Sequence, residues 1–100
     1  MEKLINKRKL NNEKIDTFDI LRWSKQILQG IDFLHRNKII HRDLRASNIF
    51  INGKSLVLGH LGLAKSTREL KSSQNYFANL SYASPEVINR ENHSFKTDIW

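Results

Sequence analysis

Cysteine is absent from the chain. That excludes a disulfide framework and a thiolate metal site. It suits a reducing compartment, and we expect an intracellular protein, cytoplasmic rather than nuclear. Proline occurs once and glycine four times, too few for a collagen-like or low-complexity chain. No apolar run approaches the ~20 residues of a membrane span. The opening stretch, MEKLINKRKLNNEK, is too polar for a secretory signal. Acidic residues are scarce, ten against seventeen Lys and Arg, for a formal net charge of +7. That balance raises nucleic acid as a partner. Yet Lys3, Lys7, Arg8, Lys9 and Lys14 are interrupted by Glu2 and Glu13, and no aromatic residue lies among them to stack on bases. We therefore read residues 1–15 as a solvated basic connecting segment and expect neither nucleic acid nor membrane as a partner.

What is present begins with a helix. Ile20, Trp23, Ile27, Ile31 and Leu34 recur at three- and four-residue steps between Asp16 and Asn37, which makes one apolar face. Asp16 or Thr17 caps its start, and His35, Arg36 and Lys38 gather where the macrodipole favours positive charge. Gly30 interrupts the pattern and marks a close approach to another backbone. Ile49-Phe50-Ile51 and Leu56-Val57-Leu58 flank Asn52-Gly53, a strong hairpin signal. From Gly59 to Ala83 no periodicity is sustained. Ser84-Pro85-Glu86 reads as a helix start, and another helix opens near Thr97 or Asp98. Trp23 and Trp100 read as core residues. The pattern breaks off inside that last element, so the chain reads as a piece of a larger domain.

The chemistry concentrates in KIIHRDLRASNIFI. Between two apolar runs stand a His, an Asp, two Arg and an Asn, with none of the Gly or Pro that an ordinary turn uses. Asp43 can accept a proton or orient a hydroxyl. Asn48 offers a carbonyl oxygen suited to Mg²⁺, and Arg45 between them can face a phosphate. A base, an oxygen donor and a cation on one loop are what phosphoryl transfer needs, since that reaction depends on positioning and charge neutralisation. The four histidines show no close i,i+3 or i,i+4 pair, so a zinc site is not indicated.

HRDLRASN resembles the catalytic loop of eukaryotic protein kinases. Further stretches follow in the family's order: GHLGLAK where kinases carry D-F-G-L-A-K, SPE where they carry A-P-E, and KTDIW at the start of a long buried helix. The resemblance covers residues 16–100. It implies an α+β fold, the mainly helical C-terminal lobe of a kinase with one short β-hairpin and without the N-terminal lobe. It also implies ATP and Mg²⁺ as cofactors and a protein as substrate or partner. By the same resemblance Asp43 is the catalytic base, Asn48 a metal ligand and Arg45 the γ-phosphate cation. Asp98 hydrogen-bonds the backbone near His41 and Arg42. The resemblance also implies that Arg42 and Lys65 form a pocket for a phosphate on Ser73 or Tyr76; the alternative is that Arg42 serves only in packing and backbone bonding.

The chain departs from the family at several positions. His60 stands where the metal-binding Asp belongs, and an imidazole is a poor ligand for Mg²⁺. Leu61 replaces the Phe before Gly62 and is expected to fill the same apolar slot. Asn79 replaces a Thr that touches the catalytic Asp, and hydrogen-bonds Asp43 in its place. Glu86, after Pro85, is expected to stand unpaired. Arg45 matches Src-type tyrosine kinases, whereas Tyr82 matches Ser/Thr kinases, which we favour as the ancestry. The expected function is therefore a protein kinase impaired or inactivated at His60. Two alternatives are an active kinase in full-length form and a non-catalytic module presenting the helix from Asp16 to Asn37.

Overall fold

The structure, a computed structural model, describes residues 1–67 and 79–100. Ser73 and Tyr76 lie outside the described residues.

The first element lies within residues 1–15. Glu2–Leu10 form a helix, α1, with Glu2 in its first turn and Lys7, Arg8 and Lys9 in its last. Lys, Arg, Glu and Leu are good helix formers, and their charges complement the macrodipole at both ends. None of its residues is buried. The Met1 ammonium donates to the Ile49 carbonyl at 2.6 Å.

Helix α2 spans Thr17–Arg36, with Asp16 and Asn37 as its caps. Its apolar face is graded. Ile31 and Leu34 are buried, whereas Ile20 is 47% exposed, and Trp23 and Ile27 are half-buried. The gradient follows what lies against the helix. Strands β2 (Ile49–Asn52) and β3 (Ser55–Leu58) form an antiparallel hairpin that meets α2 beyond Ile20. There the Gln26 side chain accepts from the Leu56 N–H at 2.8 Å. A Cβ on Gly30 would lie 2.8 Å from Leu58 Cδ1. Gly30 thus admits a side chain of the hairpin, not another backbone. The hairpin turn is also one residue later than expected. Asn52 pairs with Ser55, which leaves Gly53 and Lys54 at the centre with Gly53 at φ 60°. A glycine with positive φ in the first central position is the arrangement of a II′ turn.

A second strand pair is present. β1 (Ile39–Ile40) runs antiparallel to β4 (Lys65–Ser66), with Ile40 opposite Lys65. The single expected hairpin is therefore one of two antiparallel pairs among the described residues. This pair clamps the two ends of the stretch 41–64, which holds most of the polar residues singled out above. The remaining elements are short: 3₁₀ turns at Ala46–Asn48, Leu61–Leu63, Leu80–Tyr82 and Phe95–Asp98, and helix α3 at Pro85–Ile88. Ser84 occupies the N-cap position of α3 and Pro85 its first turn. The last turn begins at Phe95 rather than at Thr97 or Asp98. Ser94 sets it, accepting from the Lys96 N–H at 3.2 Å while Thr97 Oγ1 accepts from the Ser94 N–H at 3.4 Å. Such a reciprocal cap satisfies two otherwise unpaired N–H groups. Trp100 is 74% exposed and is not a core residue, because it projects beyond this turn.

Among the described residues the apolar core is Ile31, Leu34, Ile40 and Ala83, while His41, Arg42, Asp43, Asn48, Ser84 and Asp98 are buried polar groups. Buried polar groups outnumber buried apolar ones here, so hydrogen bonding must organise the centre of this α+β fold.

Candidate active site

Ile40 is fully buried between α2 and β4, and it delivers His41 and Arg42 into the interior. Buried backbone N–H groups need acceptors. Asp98, on the turn Phe95–Asp98, supplies both. Its Oδ2 accepts from the His41 N–H and its Oδ1 from the Arg42 N–H, each at 2.8 Å. The expected contact of Asp98 with this backbone is thus present. A third contact was not expected. His35 Nε2, at the end of α2, lies 2.8 Å from Asp98 Oδ2. An ionised carboxylate only accepts, so that nitrogen carries the hydrogen. The sequence offered His35 only as a charge at a helix end. The Phe95 ring, 4.7 Å from the imidazole, helps to hold it in place.

Arg42 has φ 67°, a left-handed conformation costing about 1–2 kcal/mol for a residue with a Cβ. Two hydrogen bonds hold it there: its N–H to Asp98 and its Nε to the Leu63 carbonyl at 2.6 Å. The bend turns the following residues back over His41. His41, itself fully buried, uses both ring nitrogens. Nδ1 lies 3.3 Å from the Asp43 N–H and accepts from it, while Nε2 lies 3.0 Å from the Gly59 carbonyl and donates to it.

Asp43 is 7% exposed. Asn48 Nδ2 donates to its Oδ2 at 2.6 Å and to its backbone carbonyl at 2.8 Å. Arg45 Nε stands 3.4 Å from Asp43 Oδ1, an ion-pair distance rather than a hydrogen bond. Asp43, Arg45 and Asn48 are therefore brought together. The Asn48 carbonyl in turn accepts from the Gly59 N–H at 2.9 Å, so Gly59 is tied on one side to His41 and on the other to Asn48. A Cβ at Gly59 would sit 2.6 Å from the Phe50 ring, so any larger residue there requires the ring to move. His60 follows at φ 63° with an exposed side chain.

Other expected residues are placed differently. Leu61 is 48% exposed and fills no apolar slot, because the left-handed turn at His60 swings it outward. Gly62 is exposed beside it. Asn79 shares a cavity of about 170 Å³ with Arg42, Asp43, Ser81, Tyr82 and Trp100. Its Oδ1 accepts from the Ser81 N–H at 3.1 Å, a local turn that competes with any bond to Asp43. Lys65 lies in β4, opposite Ile40. Glu86 is not unpaired: Thr97 Oγ1 donates to its Oε1 at 2.9 Å.

A family model of the protein kinase domain matches residues 1–100. The chain belongs to the protein kinase domain family. Among curated relatives, the chain is 43% identical over 77 residues to a probable serine/threonine-protein kinase, mkcD, of Dictyostelium discoideum. It is 37% identical over 90 residues to the serine/threonine-protein kinase polo of Drosophila melanogaster, and 36% over 102 residues to the probable serine/threonine-protein kinase nek3 of Dictyostelium discoideum. These matches cover 76%, 88% and 96% of this chain but only 12%, 16% and 9% of those kinases. Kinase domains in general use ATP and Mg²⁺.

Two predictions follow from the packing around this kinase loop. Replacing Asp98 by Ala leaves the His41 and Arg42 N–H groups without their acceptor. It should cost about 2–5 kcal/mol in chemical denaturation of the whole protein. His35→Ala should cost less, about 1–2 kcal/mol, and the two losses should not add, because they share one carboxylate. Additive losses would mean that His35 and Asp98 act separately.

The second concerns pH. Burial and then the nearby Arg42 charge push the half-buried His93 below the usual histidine range, and Glu86 partly offsets them. The unfolded chain therefore takes up that proton first, and stability falls as pH drops through the window just below the ordinary value. A backbone hydrogen bond holds the Glu86 carboxyl below its usual range. That contribution is present above the ordinary carboxylate value and is lost as pH falls through the lowered one. The thermal midpoint should decline from about pH 6.5 downward, and His93→Gln should remove this first decline while leaving the more acidic one. An unchanged profile in His93→Gln would contradict it.

Proposed function

We propose that the chain is the catalytic-loop part of a Ser/Thr-type protein kinase domain, from its mainly helical C-terminal lobe, with phosphoryl transfer held very low by His60. The observation that carries this reading is the joined set Asp43, Arg45 and Asn48, hung from Asp98 at hydrogen-bonding distance. Asp43 faces the cavity it shares with Asn79 and Tyr82. There it would orient the hydroxyl of a protein substrate and accept its proton. Asn48 holds that carboxylate in place through its amide, and Arg45 lends positive charge toward a transferring phosphate. The serine/threonine kinases among the relatives support that substrate class.

The residues present do not fit a divalent metal. Asn48 commits its amide nitrogen to Asp43 and can offer one neutral oxygen, a single ligand where several are needed. Asp43 is matched by Arg45. His60 brings no carboxylate, and no group of three His, Cys, Asp or Glu residues able to hold a metal occurs among the described residues. Mg²⁺ favours carboxylate and other hard oxygen donors.

His60→Asp should therefore raise Mg²⁺-dependent transfer to a generic Ser/Thr substrate by the whole protein, with Asp43→Asn as the blank. The exposed position of His60 makes the exchange structurally mild. If the unmodified protein already turns over at ~1–100 s⁻¹, or if His60→Asp changes nothing, His60 is not the defect.

A further inference from the structure

Resting on that kinase reading, the donor set beside Asp43 has a consequence for what binds there. We infer that this site takes the polyphosphate of a nucleotide without a divalent cation, and that Mg²⁺ does not assist binding.

The argument is electrostatic. Within the loop Asp43 contributes one negative charge and Arg45 one positive charge, 3.4 Å apart, and they cancel. His60 adds no negative charge in either protonation state. The local sum is therefore zero or positive, where a metal-dependent site would place two carboxylates. Such a site does not concentrate a dication, but it does attract a polyanion. The polar hydrogens have the same bias. Arg45 Nε is buried and has no hydrogen-bond partner among the described residues. A buried donor without an acceptor is unfavourable, and an anionic oxygen would satisfy it. The carboxylate that could compete for a metal is already bonded through Oδ2 to Asn48 Nδ2 at 2.6 Å. Asn48 keeps its amide oxygen free, because only its nitrogen is used on Asp43, but that oxygen is neutral and adds no negative charge for a cation. Finally, Gly59 is tied to both His41 and Asn48, so the backbone leading into His60 has little freedom to bring another ligand into place.

Mg²⁺ removes negative charge from ATP. At a neutral or positive site the metal-free nucleotide should therefore bind as tightly as the complex or more tightly. The test is calorimetric titration of the whole protein with ATP, in EDTA and again in excess Mg²⁺. The expected dissociation constant in EDTA is equal to that in Mg²⁺ or up to about tenfold lower. Arg45→Gln should weaken the binding in EDTA, which places the nucleotide on this loop. His60→Asp should reverse the order, so that Mg²⁺ tightens binding. The inference is overturned if ATP binds the unmodified protein more than about twofold more weakly in EDTA. It is overturned equally if ATP binds in neither condition, or if Arg45→Gln leaves the affinity in EDTA unchanged. These outcomes are separate from the kinase reading. A gain of phosphotransfer in His60→Asp would support that reading even if the unmodified protein required Mg²⁺ to bind ATP.

Discussion

The Asp98 carboxylate accepts from the His41 and Arg42 amides and meets His35, three contacts of 2.8 Å at a side chain that is almost wholly enclosed. Much of the remaining arrangement depends on it. A backbone that enters the interior as Ile40-His41-Arg42 would otherwise bury two unsatisfied donors, at about 1–3 kcal/mol each. It would also lack the hold that keeps Arg42 in its left-handed bend. Without that bend the chain does not fold back over His41, and Asp43 is not turned toward its cavity. The carboxylate thus converts a loop of charged residues into a fixed platform. Its own charge is met by two N–H dipoles and an imidazole N–H, which is how an enclosed anion is made tolerable.

Rigidity spreads from this point through a closed circuit. Asp98 holds His41, His41 holds Gly59, Gly59 bonds Asn48, and Asn48 bonds Asp43. Every link is a buried or half-buried hydrogen bond, so loss of one leaves a neighbour unsatisfied. The circuit explains why His60 stands where it does: the residue before it is fixed on two sides, and φ 63° at His60 itself turns the chain outward. It also keeps Asp43 and Asn48 in register with each other. The circuit runs through Gly59 and does not use the side chain of residue 60.

Helix α2 was legible because five apolar residues repeat at the helical period. The loop was legible because so many polar groups seldom stand between apolar runs. The hairpin was legible from Asn52-Gly53, but its register was not. A glycine is accepted at either central position, and only pairing across the strands chooses between them. The β1–β4 pair escaped because two strands of two residues, far apart in the chain, carry no periodic signal. His35 escaped for a different reason. One histidine at a helix end satisfies the macrodipole argument, and nothing local says that it also reaches a residue 63 positions later. Glu86 was expected to be unpaired because its partner was sought among basic residues, whereas the structure offers the hydroxyl of Thr97. Leu61 was placed inward by its apolar nature, and the turn geometry of His60 overrode that preference.

The most direct test of the role given to Asp98 is residue-resolved amide hydrogen exchange in the whole protein. The His41 and Arg42 amides, which donate to an enclosed carboxylate, should exchange far more slowly than those of the exposed turn at Gly53 and Lys54, and no faster than the amides of α2 near Leu34. In Asp98→Asn a single oxygen remains to accept, so one of the His41 and Arg42 amides should lose its acceptor and exchange markedly faster. If the His41 and Arg42 amides exchange as rapidly as the hairpin turn in the unmodified protein, the carboxylate does not hold the loop, and the account built on it is wrong.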